Sequence, residues 1–441
     1  MTAVADRTQA YVDQFEQVVD TAVVPADVRR AAFERFGKLG FPTMRHEDWR
    51  FTNTRAITEK VFGAAMPRNA ADIRAFVDGQ IIDSDWPRLV FVNGHFSAEL
   101  SSPEPCSGPA WAGSLTAMPP KVAGAVQPHL ARYADCEQHA FTALNTAFLS
   151  DGAVVHVPAG SAVDRPIHVL HVSVPGAEPQ VSHPRGLIVV ETGGELTVIE
   201  SFVGDGAGSY FTNSVTEIVA ADNTHIDHYK VVFETPEAYH VGTTRIHMGR
   251  DSTVTSHTIT LGGKLVRNDI TTVLDGEGGT CTLNGLYVVN DRNHVDNHLR
   301  VEHAKPHCDS REYFKGILDG HARAVFTGRI IVHKDAQKTD AKQTNMNLLL
   351  SDDCQVDTKP QLEIFADDVK CTHGATIGQL DADAMFYLKS RGIEETAARG
   401  VLLFAFAQAS LDQVSPEPLR DRLQDALYDL IPGGHLLREK T

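Results

Sequence analysis

The chain has 441 residues, enough to bury a large core and to form more than one domain. Charged residues make up 22% and hydrophobic residues 42%, an ordinary globular composition. A net charge of −17 repels phosphate backbones and argues against nucleic acid as a partner, and no apolar run reaches membrane-spanning length.

The opening stretch, residues 1–21, is polar and acidic and lacks the basic and apolar regions of a secretory leader. Within it Tyr11, Val12, Phe15, Val18 and Val19 recur at helical spacing. A second predicted helix starts at Pro25, carries Val28, Ala32, Phe33 and Phe36, and stops at Gly40 before Pro42. Residues 67–118, rich in Pro, Ser and Gly, read as a connector around one short strand, Leu89-Val90-Phe91-Val92. Helical pattern resumes from Pro128 to Leu149. Residues 1–151 are therefore expected to form a helical region with a connector.

From residue 152 to 376 the pattern changes. Short runs rich in Val, Ile, Thr and His alternate with polar turns. Predicted strands include Val154–Val157, Ile167–Val172, Leu187–Val190, Leu196–Phe202, His225–Phe233, Val254–Leu261, Ile270–Leu274, Cys281–Val289, Val295–Val301 and Ala324–Val332. Turns recur at Gly193-Gly194, Asp222-Asn223, Asp251-Ser252, Gly278-Gly279, Asp319-Gly320 and Asp352-Asp353, at intervals of 29, 29, 27, 41 and 33 residues. Such spacing fits a solenoid with apolar inner positions, and a jelly roll gives similar runs.

Residues 377–441 read as helical again. Asp383 is placed to cap a helix with Met385, Phe386 and Leu388 that ends at Gly392. Ala397–Ala407 is apolar almost throughout and needs cover on most sides. Ser415 and Pro416 open a last helix with the stripe Leu419, Leu423, Leu427, Leu430 and Ile431.

Motifs for independent catalysis are scarce. There is no P-loop, no His-Glu-x-x-His and no Gly-x-Ser-x-Gly, and Gly204, Gly206 and Gly208 lack dinucleotide-fingerprint spacing. Six cysteines without a Cys-x-x-Cys fit a reducing cytosol, and Cys106, Cys136, Cys281 and Cys354 stand isolated. Among 21 histidines, His294 and His298 share one strand parity and His303 and His307 the other. Four residues of strand span roughly 13 Å, too far for one ion to bridge. Cys371 and His373 differ: in an extended segment, positions i and i+2 face the same way, so a thiolate and an imidazole sit side by side. Two ligands do not close a site, so a partner has to complete it.

Several stretches together resemble the SufB/SufD family of subunits of the SufBCD iron–sulfur cluster assembly scaffold. They are His46-Glu47-Asp48-Trp49-Arg50-Phe51-Thr52, Ala140 to Phe148 followed by Asp151-Gly152, Pro306-His307-Cys308 with Lys315-Gly316-Ile317, Gln343-Thr344-Asn345 with Leu348 to Ser351, and Cys371-Thr372-His373-Gly374-Ala375-Thr376. The last run is similar to the SufD branch more than to SufB. The resemblance implies a mainly β fold: a right-handed parallel β-helix core flanked by N-terminal and C-terminal α-helical regions. It further implies a non-enzymatic, cytoplasmic scaffold that meets SufB through the β-helix and the ATPase SufC through the C-terminal helices. A nascent iron–sulfur cluster would form at the SufB interface with His373, and less securely Cys371, as this chain's ligands. Flavin association with the complex is left open. Without SufB, the same strand edge is expected to give a homodimer. Two rivals remain: a β-helix enzyme acting on polysaccharide, with calcium at Asp352-Asp353 and Asp367-Asp368, and a SufB-like main scaffold with a complete site of its own.

Overall fold

In the computed structural model, which describes residues 11–17, 24–102, 106 and 108–438, the β-rich segment winds into a parallel solenoid. From Arg185–Val190 to Lys370–Gly378 the chain alternates between two sheets, and within each sheet successive strands pair in parallel. His225, Thr253, Thr280, Asp309, Asp340 and Lys370 stack in one column, so successive turns advance by 28, 27, 29, 31 and 30 residues. Parallel pairing throughout this region excludes a Greek-key jelly roll.

The uneven intervals between predicted turns have a geometric origin. Gly193, Asn223, Asp251, Gly278, His307 and Lys338 all have positive φ and occupy one corner, each N–H donating to a carbonyl of the next turn. Gly320, the next positive-φ glycine, belongs to another corner, between Asp309–Leu318 and Arg323–Val332. The 41-residue interval therefore runs from one corner to the other.

Alternating side chains fill the space between the sheets. Leu196, Val198, Phe202, Ile226, Val232, Val254 and Leu283 form part of a continuous apolar core. The interior is not apolar throughout, contrary to expectation. Glu200 accepts from Thr216 Oγ1 at 3.0 Å and lies 2.9 Å from His228 Nε2, whose Nδ1 meets Ser256 Oγ at 2.9 Å. His240 meets Glu234 at 2.9 Å. These groups are buried and, apart from Glu234 Oε2, partnered, which removes most of the cost of dehydrating them. Ser-His-Glu order recurs here without an open cleft, as core hydrogen bonding.

The N-terminal region is helical where its pattern is strongest. Residues 11–17 are helical, whereas Val18 and Val19 lie outside the described residues. Helix α1 (Ala26–Leu39) ends at Gly40, whose φ is +61°. Helix α2 (Ala70–Gln80), capped by Asn69, lies in the segment expected to be a connector. Strand Arg88–Val92 joins the second sheet in parallel and Trp111–Ser114 joins the first antiparallel, so this region closes one end of the solenoid. The helix expected over 128–149 is broken. Pro120–Val126 is helical and α3 is Ala140–Ala147, but between them Glu217 takes the N–H groups of Ala131, Tyr133 and Ala134, and Ala131 has a φ of +58°. A buried carboxylate replaces the carbonyl acceptors a helix would use.

After the last strand come α4 (Ala382–Ser390), α5 (Glu395–Leu411) and α6 (Glu417–Leu430). Asp381 rather than Asp383 caps α4, with its side chain accepting from the N–H groups of Asp383 and Ala384. Pro416 is the N-cap residue of α6, and Ser415 precedes it without a side-chain cap. The stripe Leu419, Leu423, Leu427 and Ile431 packs with Leu403, Ala407 and Leu411 onto Tyr229, Ile259, Leu286 and Ile317 of the second sheet. It covers this chain's own solenoid and is not free to dock a partner. Helix α4 is different: none of its residues is buried, and Phe386 and Tyr387 are 74% and 56% exposed.

Candidate metal-ligand site at the open end

The two sheets end together. Gln355–Ile364 is the last strand of the first sheet and Lys370–Gly378 the last of the second, with no further strand beyond either among the described residues. Lys370–Gly378 is extended, as the reading of Cys371 and His373 requires, and pairs with Asp340–Leu349 along one edge only. Its other edge leaves backbone donors and acceptors open. Ile364, Phe365 and Ile377 expose large apolar surface at the same end.

Register shows which way the candidate ligands face. Cys371 pairs with Ala341, His373 with Gln343, Ala375 with Asn345 and Ile377 with Asn347. Ala341, Gln343, Asn345 and Asn347 are buried inner residues. In-register neighbours share a face, so Cys371 and His373 stand on the inner side of the last turn, where the core opens to solvent. Two residues of strand separate them by about 7 Å. His373 is exposed. Cys371 is half-buried against a small cluster containing Ile330, Val332 and Ala366, and burial raises its thiol pKa, which lowers the thiolate fraction.

Beneath His373 the inner column continues through Gln343 to Glu312. Gln343 Nε2 donates to Glu312 Oε2 at 2.6 Å, and burial pushes the Glu312 carboxyl up to about 7. Beside them Tyr287 O–H donates to Asn347 Oδ1 at 2.5 Å, and Asn347 Nδ2 donates to Asn345 Oδ1 at 2.7 Å. Sequence reasoning did not pick out this polar file. Its rungs lie some 30 residues apart, and only the register unites them.

The other flagged residues disperse. His294 meets Thr52 Oγ1 at 2.9 Å, His298 Nε2 stands 3.6 Å from Asp48, His303 meets Ser310 Oγ at 2.8 Å inside the solenoid, and His307 forms an exposed corner. Among the described residues no group of three or more His, Cys, Asp or Glu side chains is placed to hold a metal ion. Asp352, Asp353, Asp367 and Asp368 are exposed turn residues, and Asp368 pairs with Lys338. Burial pushes the Cys281 thiol up to about 12 and that of Cys106 to about 11, which makes both poor ligands. A cleft of about 270 Å³ bordered by Asp48, Trp49, His139, Arg267 and Asp269 includes no residue of the last strand. The segment at its rim is fastened to the first sheet: Thr52 Oγ1 donates to Asp296 at 2.5 Å, and the Arg267 guanidinium lies 4.0 Å from the Trp49 ring centre.

Comparison with known proteins identifies the family. Residues 172–406 match the family described as SUF system FeS cluster assembly, SufBD core domain, and residues 5–169 match the SufBD protein N-terminal region. The chain is similar to an iron–sulfur cluster assembly SufBD family protein of Synechocystis sp., 34% identical over 90% of this chain and 89% of that one. It is 33% identical to the iron–sulfur cluster assembly protein SufD of Escherichia coli, over 90% of this chain and 91% of that one. Similarity extends to the chloroplastic protein ABCI7 of Arabidopsis thaliana, 27% identical over 92% and 86% of the two chains. The chain is a homologue of SufD and belongs to the SufB/SufD family of iron–sulfur cluster assembly proteins.

Proposed function

We propose that this chain is a non-enzymatic scaffold subunit that meets a SufB-like partner at its open end and supplies His373 to a cluster built across the junction. One observation carries the reading: the edge strand that bears His373 is unpaired on one side and is flanked by exposed Ile364, Phe365 and Ile377. An open edge with apolar neighbours invites a strand from another chain, and a lone imidazole needs ligands from that chain. The cluster is cargo under construction, so incomplete ligation by either subunit alone suits its release. Thiolate is the preferred ligand of iron–sulfur clusters, and the half-buried Cys371 is the weaker candidate here. The test is to purify the complex anaerobically and measure iron and sulfide. His373→Ala is expected to lower both while the complex still assembles, and Cys371→Ser is expected to lower them less. Normal cluster content with His373→Ala refutes the ligand role.

The SufC-like ATPase is assigned to α4. Its Phe386 and Tyr387 are exposed, whereas the stripe of α6 is occupied by the solenoid. Removing α5 and α6 would strip cover from the second sheet, so point substitutions give the cleaner experiment. Replacing Phe386 and Tyr387 together by Ser is expected to abolish capture of the ATPase with thermal stability unchanged. Full-strength capture would assign the docking surface elsewhere.

A further inference from the structure

Gln343 is 2% exposed, and its side chain is oriented by what surrounds it. Its Nε2 is committed to Glu312 Oε2, which turns Oε1 away, and Oε1 has no hydrogen-bond partner. Asn345 and Asn347, the other inner amides of the strand, have both carbonyl oxygens engaged, by Asn347 Nδ2 and Tyr287 O–H. Room for the Gln343 amide comes from across the solenoid: a Cβ on Gly328 would collide with it. The next residue along the column toward the open end is His373. A buried acceptor without a donor costs stability, so its persistence calls for a partner. A histidine that binds metal through one ring nitrogen almost always donates the N–H of the other to an acceptor that fixes its tautomer and orientation.

We propose that Gln343, held by Glu312, accepts the second ring N–H of His373 and so orients the imidazole toward iron at the open end. Gln343 and Glu312 are then positioning residues that never touch the metal. This rests on the assignment of His373 as a ligand, and the experiment separates the two. The complex, co-expressed with its SufB-like and SufC-like partners and purified anaerobically without cluster, is titrated with Fe(II). Gln343→Met keeps the length of the side chain and removes the acceptor, and Gln343→Glu keeps an acceptor in place. The Met variant is expected to bind Fe(II) about 10–100-fold more weakly, the range found when a metal ligand loses its supporting partner. Gln343→Glu is expected to restore most of the affinity, which a purely structural role for the amide would not require. Combined with His373→Ala, Gln343→Met should cause no further loss, because nothing is left to orient. Wild-type affinity in Gln343→Met, or the same fold-loss with and without His373, overturns the proposal while the ligand assignment stands. Wild-type affinity in His373→Ala overturns both.

Discussion

Glu217 has no exposed surface, and its two oxygens take N–H groups from Ala131, Tyr133 and Ala134 besides pairing with the Arg185 guanidinium. Arg185 reaches on to Asn145 Oδ1 at 3.1 Å, and Asn145 Nδ2 donates to the carbonyls of Pro184 and Asn213 at 2.9 and 2.7 Å. One file of polar side chains thus ties a loop and α3 to the first sheet. Removing one partner of a buried ion pair leaves the other charge without compensation, at a cost of about 3–5 kcal/mol. Glu217→Ala is therefore expected to lower unfolding free energy by about that amount in denaturant titration. A loss below about 1 kcal/mol, the value of an exposed pair, would mean that water reaches Arg185.

At the scale of elements, the last strand is exposed at every position but Cys371, yet it is the segment with the clearest family likeness. Buried strands are held by packing on two faces, whereas Lys370–Gly378 has a neighbour on one edge only. Ile377, 47% exposed, has no core to fill in the isolated chain. Ile377→Lys is expected to leave the melting temperature unchanged and to abolish self-association, because a charge on an edge opposes strand addition. Light scattering decides it: dimers of the variant at micromolar concentration would place the contact elsewhere. The elements legible in the sequence were those whose period and polarity agree. Strand His225–Phe233 was found because Ile226, Tyr229, Val231, Val232 and Phe233 make a β-branched and aromatic run bounded by polar turns. Asp340–Leu349 was missed because its inner positions carry Ala341, Gln343, Asn345 and Asn347, which imitate a polar loop. Helix α2 was missed because it buries only Ile73 and Val77. The pairing of Cys371 with His373 was visible because a two-residue spacing fixes a common face. The column from His373 through Gln343 to Glu312 was not, since it depends on turn lengths that only the fold reveals.

For the whole molecule, the large number of histidines becomes a statement about acid stability. Among the described residues, burial pushes His168, His171, His183, His240, His257, His294 and His303 down to about 3 or 4. In the unfolded chain each titrates near 6.5, so below that pH the unfolded state binds protons that the folded state refuses. The contribution of these histidines is thus complete above about pH 6.5 and is lost as the pH drops toward the folded values, while the raised Glu312 carboxyl opposes it only in part. At pH 5.5 each such histidine costs about 1.4 kcal/mol, and the set costs about 10 kcal/mol, against a net stability of about 5–15 kcal/mol for a folded protein. Cooperative unfolding is expected between about pH 5 and 6, before most carboxylates protonate. His257 offers a single-site check: it stacks on Tyr229 with ring centres 4.7 Å apart, and its Nε2 has no partner. His257→Phe keeps an aromatic ring on Tyr229 and removes one titrating group. It is expected to recover about 1.4 kcal/mol at pH 5.5 and to shift the acid midpoint downward, with a smaller effect at pH 8. Circular dichroism across the titration reads both quantities. A native spectrum persisting at pH 4.5, or an unshifted midpoint for His257→Phe, would show that these imidazoles take up protons without unfolding the solenoid.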